Sequence, residues 1–312
     1  LTAIFNHAVI DVHFYPLTKE VESMSKFQIQ AESYLHNRQV SKEQLLAESL
    51  TVDELAEEYR KHHVVAMPAA WDAETATADP VISNDYVAGL VKKYPDVFIA
   101  GWAMVDPWKG RMALDEIERS IKELKLIGVK FNQSVQKFRV NDPYFVSVWK
   151  LCQQLKVPVL LHGGTTVLGA GAAGGMGVHL DYARPIPDID DLAAEFPELR
   201  IVVVGVGHPW TAQFTALTRH KTNIYRVCSG MWPSEYPEEM MYELNRRLTD
   251  KYMMASDYPF FPLRELLEQH AQVDYRIKGD LNMRENVLYK NALEIFAEDF
   301  ARVGADLGKF QA

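Results

Sequence analysis

Short apolar runs rich in β-branched residues recur along this chain, separated by longer stretches whose apolar residues fall at helical spacing. The runs are AVIDVHF (8–14), VVAMPA (64–69), VFIAGWAMV (97–105), LIGVKFN (126–132), VPVLLHG (157–163), RIVVVG (200–205), NIYRVCS (223–229) and KYMMASD (251–257). Between them lie TVDELAEEYRKHH, DYVAGLVKKYP and ALDEIERSIKELKL, which read as amphipathic helices. Strands that alternate with helices, eight times over, predict an α/β fold of the (β/α)8 TIM-barrel type. A doubly wound open sheet is the structural rival.

Two connections exceed what such a barrel needs. Residues 17–50, rich in Lys, Glu and Gln, are expected to form a helical insertion after the first strand. Residues 163–186 are expected to form an active-site loop, since long loops in compact domains usually carry function. That loop holds Gly169-x-Gly171-x-x-Gly174, which matches a dinucleotide fingerprint. The match is rejected, because no helical pattern opens behind the glycines. The whole chain, 1–312, is read as one barrel domain.

Composition narrows the partners. An apolar fraction of 48% supports a large core and excludes a disordered chain. The net charge of −9 is spread without a basic run, so nucleic acid is not an expected partner. No apolar run is long enough to span a bilayer, so no membrane partner is expected. Nothing resembles a secretory leader, and the two cysteines, Cys152 and Cys228, read as reduced apolar fillers of a cytoplasmic protein.

Chemistry in a barrel gathers where the strands end. The first run gives Asp11, His13 and Tyr15 on one face, by the period of two. The second is followed by Trp71 and Asp72, and the third by Asp106. Later runs deliver Lys130 and Asn132, His162, Ser229 and Asp257, with His208 shortly after the sixth. Three imidazoles and a carboxylate on one rim have the composition of a divalent metal site, for zinc or for iron and manganese. His208 in GHPW has a second reading as a helix cap. Lys130 reads either as a structural cation paired with Asp106 or Asp257, or as a carbamate bridging two metals. Trp71, Asn132, His179 and Arg184 are the candidate contacts to a small-molecule substrate.

The motifs IDVHFYP, GVKFN, PVLLHGG, GVHLDYARPIPDIDDLAAEFPELRIVVV, NIYRVCSG, MMASDYPF and KNALEIF, in this order, resemble the amidohydrolase superfamily. The similarity is to the branch that holds the aminocarboxymuconate-semialdehyde and resorcylate decarboxylases. The resemblance implies a barrel with one or two divalent metals held by a His-x-His pair, a fifth-strand His and an eighth-strand Asp. Here those places fall to His13, His162 and Asp257, with Tyr15 where the second imidazole belongs. The family's catalytic His at the end of the sixth strand is replaced by Gly205, and His208 stands three residues later. Tyr15, His208 and Lys130 are therefore carried as further candidate ligands, and Asp257 and His208 as candidate proton carriers.

The reading placed first is a hydrolase that attacks an amide, ester or lactone with a metal-activated water, Asp257 receiving its proton. Three alternatives stand beside it. They are a dinuclear iron or iron–manganese oxygenase, a non-oxidative decarboxylase of an unsaturated or aromatic acid, and a degenerate subunit supporting a partner. A homo-oligomer, or pairing with a related subunit, is expected from the resemblance.

Overall fold

A computed structural model describes residues 4–22 and 49–310 of the chain. Its eight parallel strands are β1 (Val9–Phe14), β2 (Val64–Pro68), β3 (Trp102–Met104), β4 (Gly128–Phe131), β5 (Val159–His162), β6 (Ile201–Val204), β7 (Ile224–Cys228) and β8 (Tyr252–Met254). Helices follow each in turn: α1 (Val52–Lys61), α2 (Asn84–Lys93), α3 (Arg111–Lys122), α4 (Val146–Gln154), α5 (Asp190–Glu195), α6 (Thr211–His220), α7 (Glu238–Leu244) and α8 (Leu263–Gln272). The expected (β/α)8 barrel is the fold.

Strands β3 to β8 pair in sequence order, and β1 pairs with β2. Single bridges, Ala66 to Phe98 and Ala69 to Trp102, join the two groups. The seam between β8 and β1 is closed by the Asp257 amide donating to the His13 carbonyl at 3.4 Å. The third run forms a shorter strand than 97–105, and Gly101 just before it packs against α2, where an added Cβ would lie 2.6 Å from Val87. The eighth ends at Met254 rather than 257, and Asp257 turns away with φ of +52°.

Alternation separates two cores. Leu160, Val202 and Val204 join Val65, Met67, Trp102, Val227 and Met253 in one cluster. Val159, Leu161, Ile201 and Val203 face outward onto Ile117, Trp149, Leu192 and Phe214 of the helices. Since Val129 and Phe131 belong to that outer cluster, Lys130 between them must point inward.

Most of the expected insertion at 17–50 lies outside the described residues; within them, a short helix spans Lys19–Glu22. The 163–186 loop folds into short turns, 3-10 at Ala173–Gly177 and Leu180–Ala183. Gly169, Gly171 and Gly174 all adopt positive φ in this loop and no α-helix opens on them. Arg139 pins the loop: it pairs with Asp181 and with Asp188 (2.7 Å), and its guanidinium lies 4.6 Å from the centre of the Tyr182 ring.

Candidate active site

At the C-terminal ends of the strands one narrow cavity is lined by His13, Tyr15, Lys130, Asn132, His162, His208, Ser229 and Asp257. Leu168, Val204, Val206, Met231, Phe260 and Phe261 supply apolar wall. Period-two geometry explains part of the gathering, since Lys130 and His162 lie on the inward faces of β4 and β5, while Asp257 enters from the turn beyond β8.

Burial dominates the electrostatics. His13 is 1% exposed, and neither ring nitrogen has a hydrogen-bond partner among the described residues. Its Nδ1 stands 3.6 Å from Asp257 Oδ1, close enough for attraction and too far for a good hydrogen bond. Desolvation, followed by the Lys130 and His162 charges, holds His13 well below the usual histidine range. Desolvation and Lys130 push His162 down to about 3. Both imidazoles are therefore neutral at pH 7, the form in which a histidine can bind a metal.

The tautomer of His162 follows from its neighbour. Its Nε2 lies 3.1 Å from the Thr165 carbonyl. A carbonyl only accepts, so Nε2 carries the proton and Nδ1 keeps the free lone pair.

Lys130 is 1% exposed, and among the described residues no carboxylate comes within 4.0 Å of its ammonium. The expected pairing with Asp106 or Asp257 is not formed; Asp106 instead accepts from the Thr75 and Trp108 amides. Burial moves Lys130 downward and Asp257 upward, and their attraction resists both shifts. The Tyr15 hydroxyl is buried and makes no hydrogen bond of good geometry; its polar neighbour is the Asn132 side chain, which draws its pKa down against the effect of burial. Desolvation and then Asp257 raise its pKa well above 10, so the phenol is neutral in the metal-free protein.

Gly205 cannot carry the histidine that the family resemblance would place there. Its φ is +107°, and a Cβ would sit 2.6 Å from the Gly163 carbonyl oxygen. The β5 and β6 loops touch backbone to backbone, the Thr165 amide donating to the His208 carbonyl at 2.7 Å. His208 is thereby held at the cavity mouth, exposed to solvent.

Three expected substrate contacts lie elsewhere. Trp71 is fully buried behind Tyr15, edge to face with ring centres 5.3 Å apart, and does not line the cavity. His179 is exposed and stacks on Tyr182 at 4.8 Å, because the loop folds outward over Arg139. Arg184 also lies off the cavity wall, within electrostatic reach of Asp188. Asn132 does line the cavity; its Oδ1 accepts the Val135 amide at 3.4 Å.

Supporting residues were harder to read from the sequence. Asp11 accepts from Tyr59 Oη (2.7 Å) and from the Ser256 amide (2.9 Å), beneath His13 and Asp257. Arg226 is fully buried on β7; its Nη2 donates to the Gly205 and Val206 carbonyls at 2.9 and 3.0 Å, and its guanidinium lies over the Phe214 ring. The available signal was a cation inside the apolar run NIYRVCS. Among the described residues no three His, Cys, Asp or Glu side chains stand together as a metal-holding group. The donors at the cavity floor are instead interleaved with a phenol and an ammonium.

A parallel barrel with strand-end imidazoles and a strand-end carboxylate defines the class, a barrel enzyme with its site at the C-terminal face. The Amidohydrolase family model matches residues 10–297, and the chain belongs to that family. It is 25% identical over 236 residues to the gamma-resorcylate decarboxylase of Polaromonas sp. strain JS666, covering 62% of this chain and 70% of that protein. An uncharacterised TIM-barrel protein of Bordetella bronchiseptica superposes with a TM-score of 0.71 at 18% identity, over 95% of this chain and 99% of that one. The 5-carboxyvanillate decarboxylase of Novosphingobium aromaticivorans superposes with a TM-score of 0.67 at 17% identity, over 94% and 96%. That crystal structure holds manganese and 4-hydroxy-3-methoxy-5-nitrobenzoic acid.

These relatives correct the hydrolase expectation. The curated relative and most of the similar solved enzymes are decarboxylases of aromatic acids rather than hydrolases. No helix among the described residues is long and apolar enough to cross a membrane.

Proposed function

We propose that this protein is a metal-dependent, non-oxidative decarboxylase of an aromatic acid with a hydroxyl group beside its carboxylate. The observation that carries the reading is the composition of the cavity. Its lining combines imidazoles, a phenol and a carboxylate with Leu168, Phe260 and Phe261, which would receive a flat apolar ring. Relatives that decarboxylate such acids support it.

The floor fits a divalent ion. Both nitrogens of His13 and the hydroxyl of Tyr15 are buried polar atoms without a hydrogen bond of good geometry, an arrangement that a cation would relieve. His13, His162, Asp257 and Tyr15 would hold it. When bound, a divalent ion such as manganese acts as a Lewis acid that fixes the substrate's oxygens and favours the ionised hydroxyl.

The chain's own residues supply the rest. Phe260 and Phe261 hold the ring and limit water in the site. His208, at the mouth, delivers a proton to the ring carbon that bears the carboxylate. The C–C bond then breaks, its electron pair restores the aromatic ring, and carbon dioxide leaves. Solvent reprotonates His208, which is exposed.

The test is turnover of 2,6-dihydroxybenzoate (γ-resorcylate) and 5-carboxyvanillate by the manganese-loaded protein. Expected are equal amounts of phenol and carbon dioxide, no oxygen uptake, and in D2O one deuterium at the former carboxyl position. Stable manganese binding with no carbon dioxide from a broader set of hydroxybenzoates would overturn the reading.

A further inference from the structure

Deepening the decarboxylase reading, we infer that Lys130 is the anchor for the substrate's carboxylate, with the amide nitrogen of Asn132 as its companion donor. Lys130 lies at the closed end of the cavity, 1% exposed, on a strand whose flanking residues Val129 and Phe131 face the helices. Among the described residues no carboxylate lies within 4.0 Å of its ammonium. A buried ammonium without a direct partner is costly, and a ligand carboxylate offsets that cost. Asn132, two residues along, faces the same cavity, and its oxygen is already committed to the Val135 amide. Its amide nitrogen, which also neighbours the Tyr15 hydroxyl, is then the donor it offers a ligand. An ammonium and an amide N–H side by side match the two oxygens of one carboxylate.

The surroundings favour an anion from outside. His13 and His162 flank Lys130 as groups that carry no negative charge, and Tyr15 adds a phenol. Asp257 is the anion within electrostatic reach, and in the reading above it is engaged by the metal. The apolar wall of Leu168, Phe260 and Phe261 then receives the ring. The arrangement distinguishes substrate from product. The acid carries the charge that Lys130 binds, whereas neither the phenol nor carbon dioxide does, so the ion pair vanishes with the reaction and both products are released.

The experiment is calorimetric titration of the manganese-loaded protein with 2-hydroxybenzoate and its uncharged analogue 2-hydroxybenzamide. A charged hydrogen bond contributes about 1.5–3 kcal/mol, so the wild type should prefer the acid by roughly 10–100-fold. Lys130→Met should bring that preference to about onefold while leaving amide affinity within a factor of about three, the precision of such pairwise reasoning. Lys130→Met that keeps the preference, or a wild type with none, overturns the assignment. Should the variant fail to fold, cyanate labelling of the wild type decides. The Lys130 peptide should be protected by 2-hydroxybenzoate and not by the amide, and equal protection refutes the anchor. Acid selectivity that depends on Lys130 without any carbon dioxide release would leave the anchor standing and sink the decarboxylase reading alone.

Discussion

Asp11 Oδ1 accepts the backbone amide of Ser256 at 2.9 Å and so ties the first barrel strand to the last. Its second oxygen takes the Tyr59 hydroxyl at 2.7 Å, and the Ser256 hydroxyl lies 3.2 Å from the same phenol. No strand ladder joins β8 to β1, so this carboxylate supplies much of the polar closure at that seam. It also fixes the relation of His13 to Asp257, which stand two residues from Asp11 and one residue from Ser256.

Asp11→Ala therefore leaves the Ser256 amide buried and unpaired and takes from the Tyr59 hydroxyl its shorter bond, leaving it only the Ser256 hydroxyl. The expected loss is about 3 kcal/mol, or several degrees in Tm, together with weaker manganese retention. Tyr59→Phe removes one bond of the set and should cost only about 1 kcal/mol. Thermal melts and metal analysis of both variants check this. An Asp11→Ala melting point within a degree of wild type would show that the barrel closes without the latch.

Much of this site was legible because alternation is rigid. Lys130 and His162 lie within β4 and β5, where alternation turns them inward, whereas Asp257 was legible only as the end of the apolar run KYMMASD, since β8 itself stops at Met254. Trp71 and His179 lie beyond strand ends, where no period applies. Their neighbours decided them, Tyr15 screening one and Arg139 drawing the loop under the other. Gly205 was seen as a missing histidine. The reason it must be glycine, the Gly163 carbonyl across the barrel, belongs to the packing of two loops distant in sequence.

Arg226 should behave as a positioning residue. Its guanidinium joins the Gly205 and Val206 carbonyls to β7 and sets the path of the chain to His208. Arg226→Met keeps length and apolar volume but leaves two carbonyls unpaired. We expect a stability loss of about 2–4 kcal/mol. We also expect kcat to fall while KM for the acid stays near wild type, because the proton donor moves and the carboxylate anchor does not. An unchanged kcat would separate Arg226 from the placement of His208.

His270 gives a pH dependence away from the site. It is fully buried on α8, its Nδ1 is 2.9 Å from Tyr275 Oη, and burial with the nearby Arg284 charge pushes it down to about 3. A histidine depressed in the folded state contributes stability that is present above its unfolded value near 6.5. That stability is lost as pH falls from there toward 3. Between pH 6.5 and 5 this one group should remove about 2 kcal/mol. His270→Gln does not titrate, so its denaturation midpoint should fall less steeply over that interval. Parallel pH profiles for the two proteins would remove His270 as a cause.

Tyr15 is the residue whose role the metal decides. Its ring is held independently of any ion, edge to face with His13 at 4.9 Å and with Trp71 at 5.3 Å, so Tyr15→Phe preserves the packing. Its hydroxyl, like the His13 nitrogens beside it, is buried without a hydrogen bond of good geometry. In the metal-free protein, burial and Asp257 keep the phenol protonated. A cation at the floor reverses that balance, since opposite charge stabilises the phenolate. Even outer-shell partners change metal affinity by about 10–100-fold, so loss of a direct ligand should weaken manganese binding by at least about tenfold. Loading with ferric iron offers a second readout, because a phenolate bound to it absorbs visible light and Tyr15→Phe should be colourless. Equal manganese affinity in the two proteins, with no visible band in the iron-loaded wild type, would return Tyr15 to the wall of the cavity and leave His13, His162 and Asp257 to hold the ion.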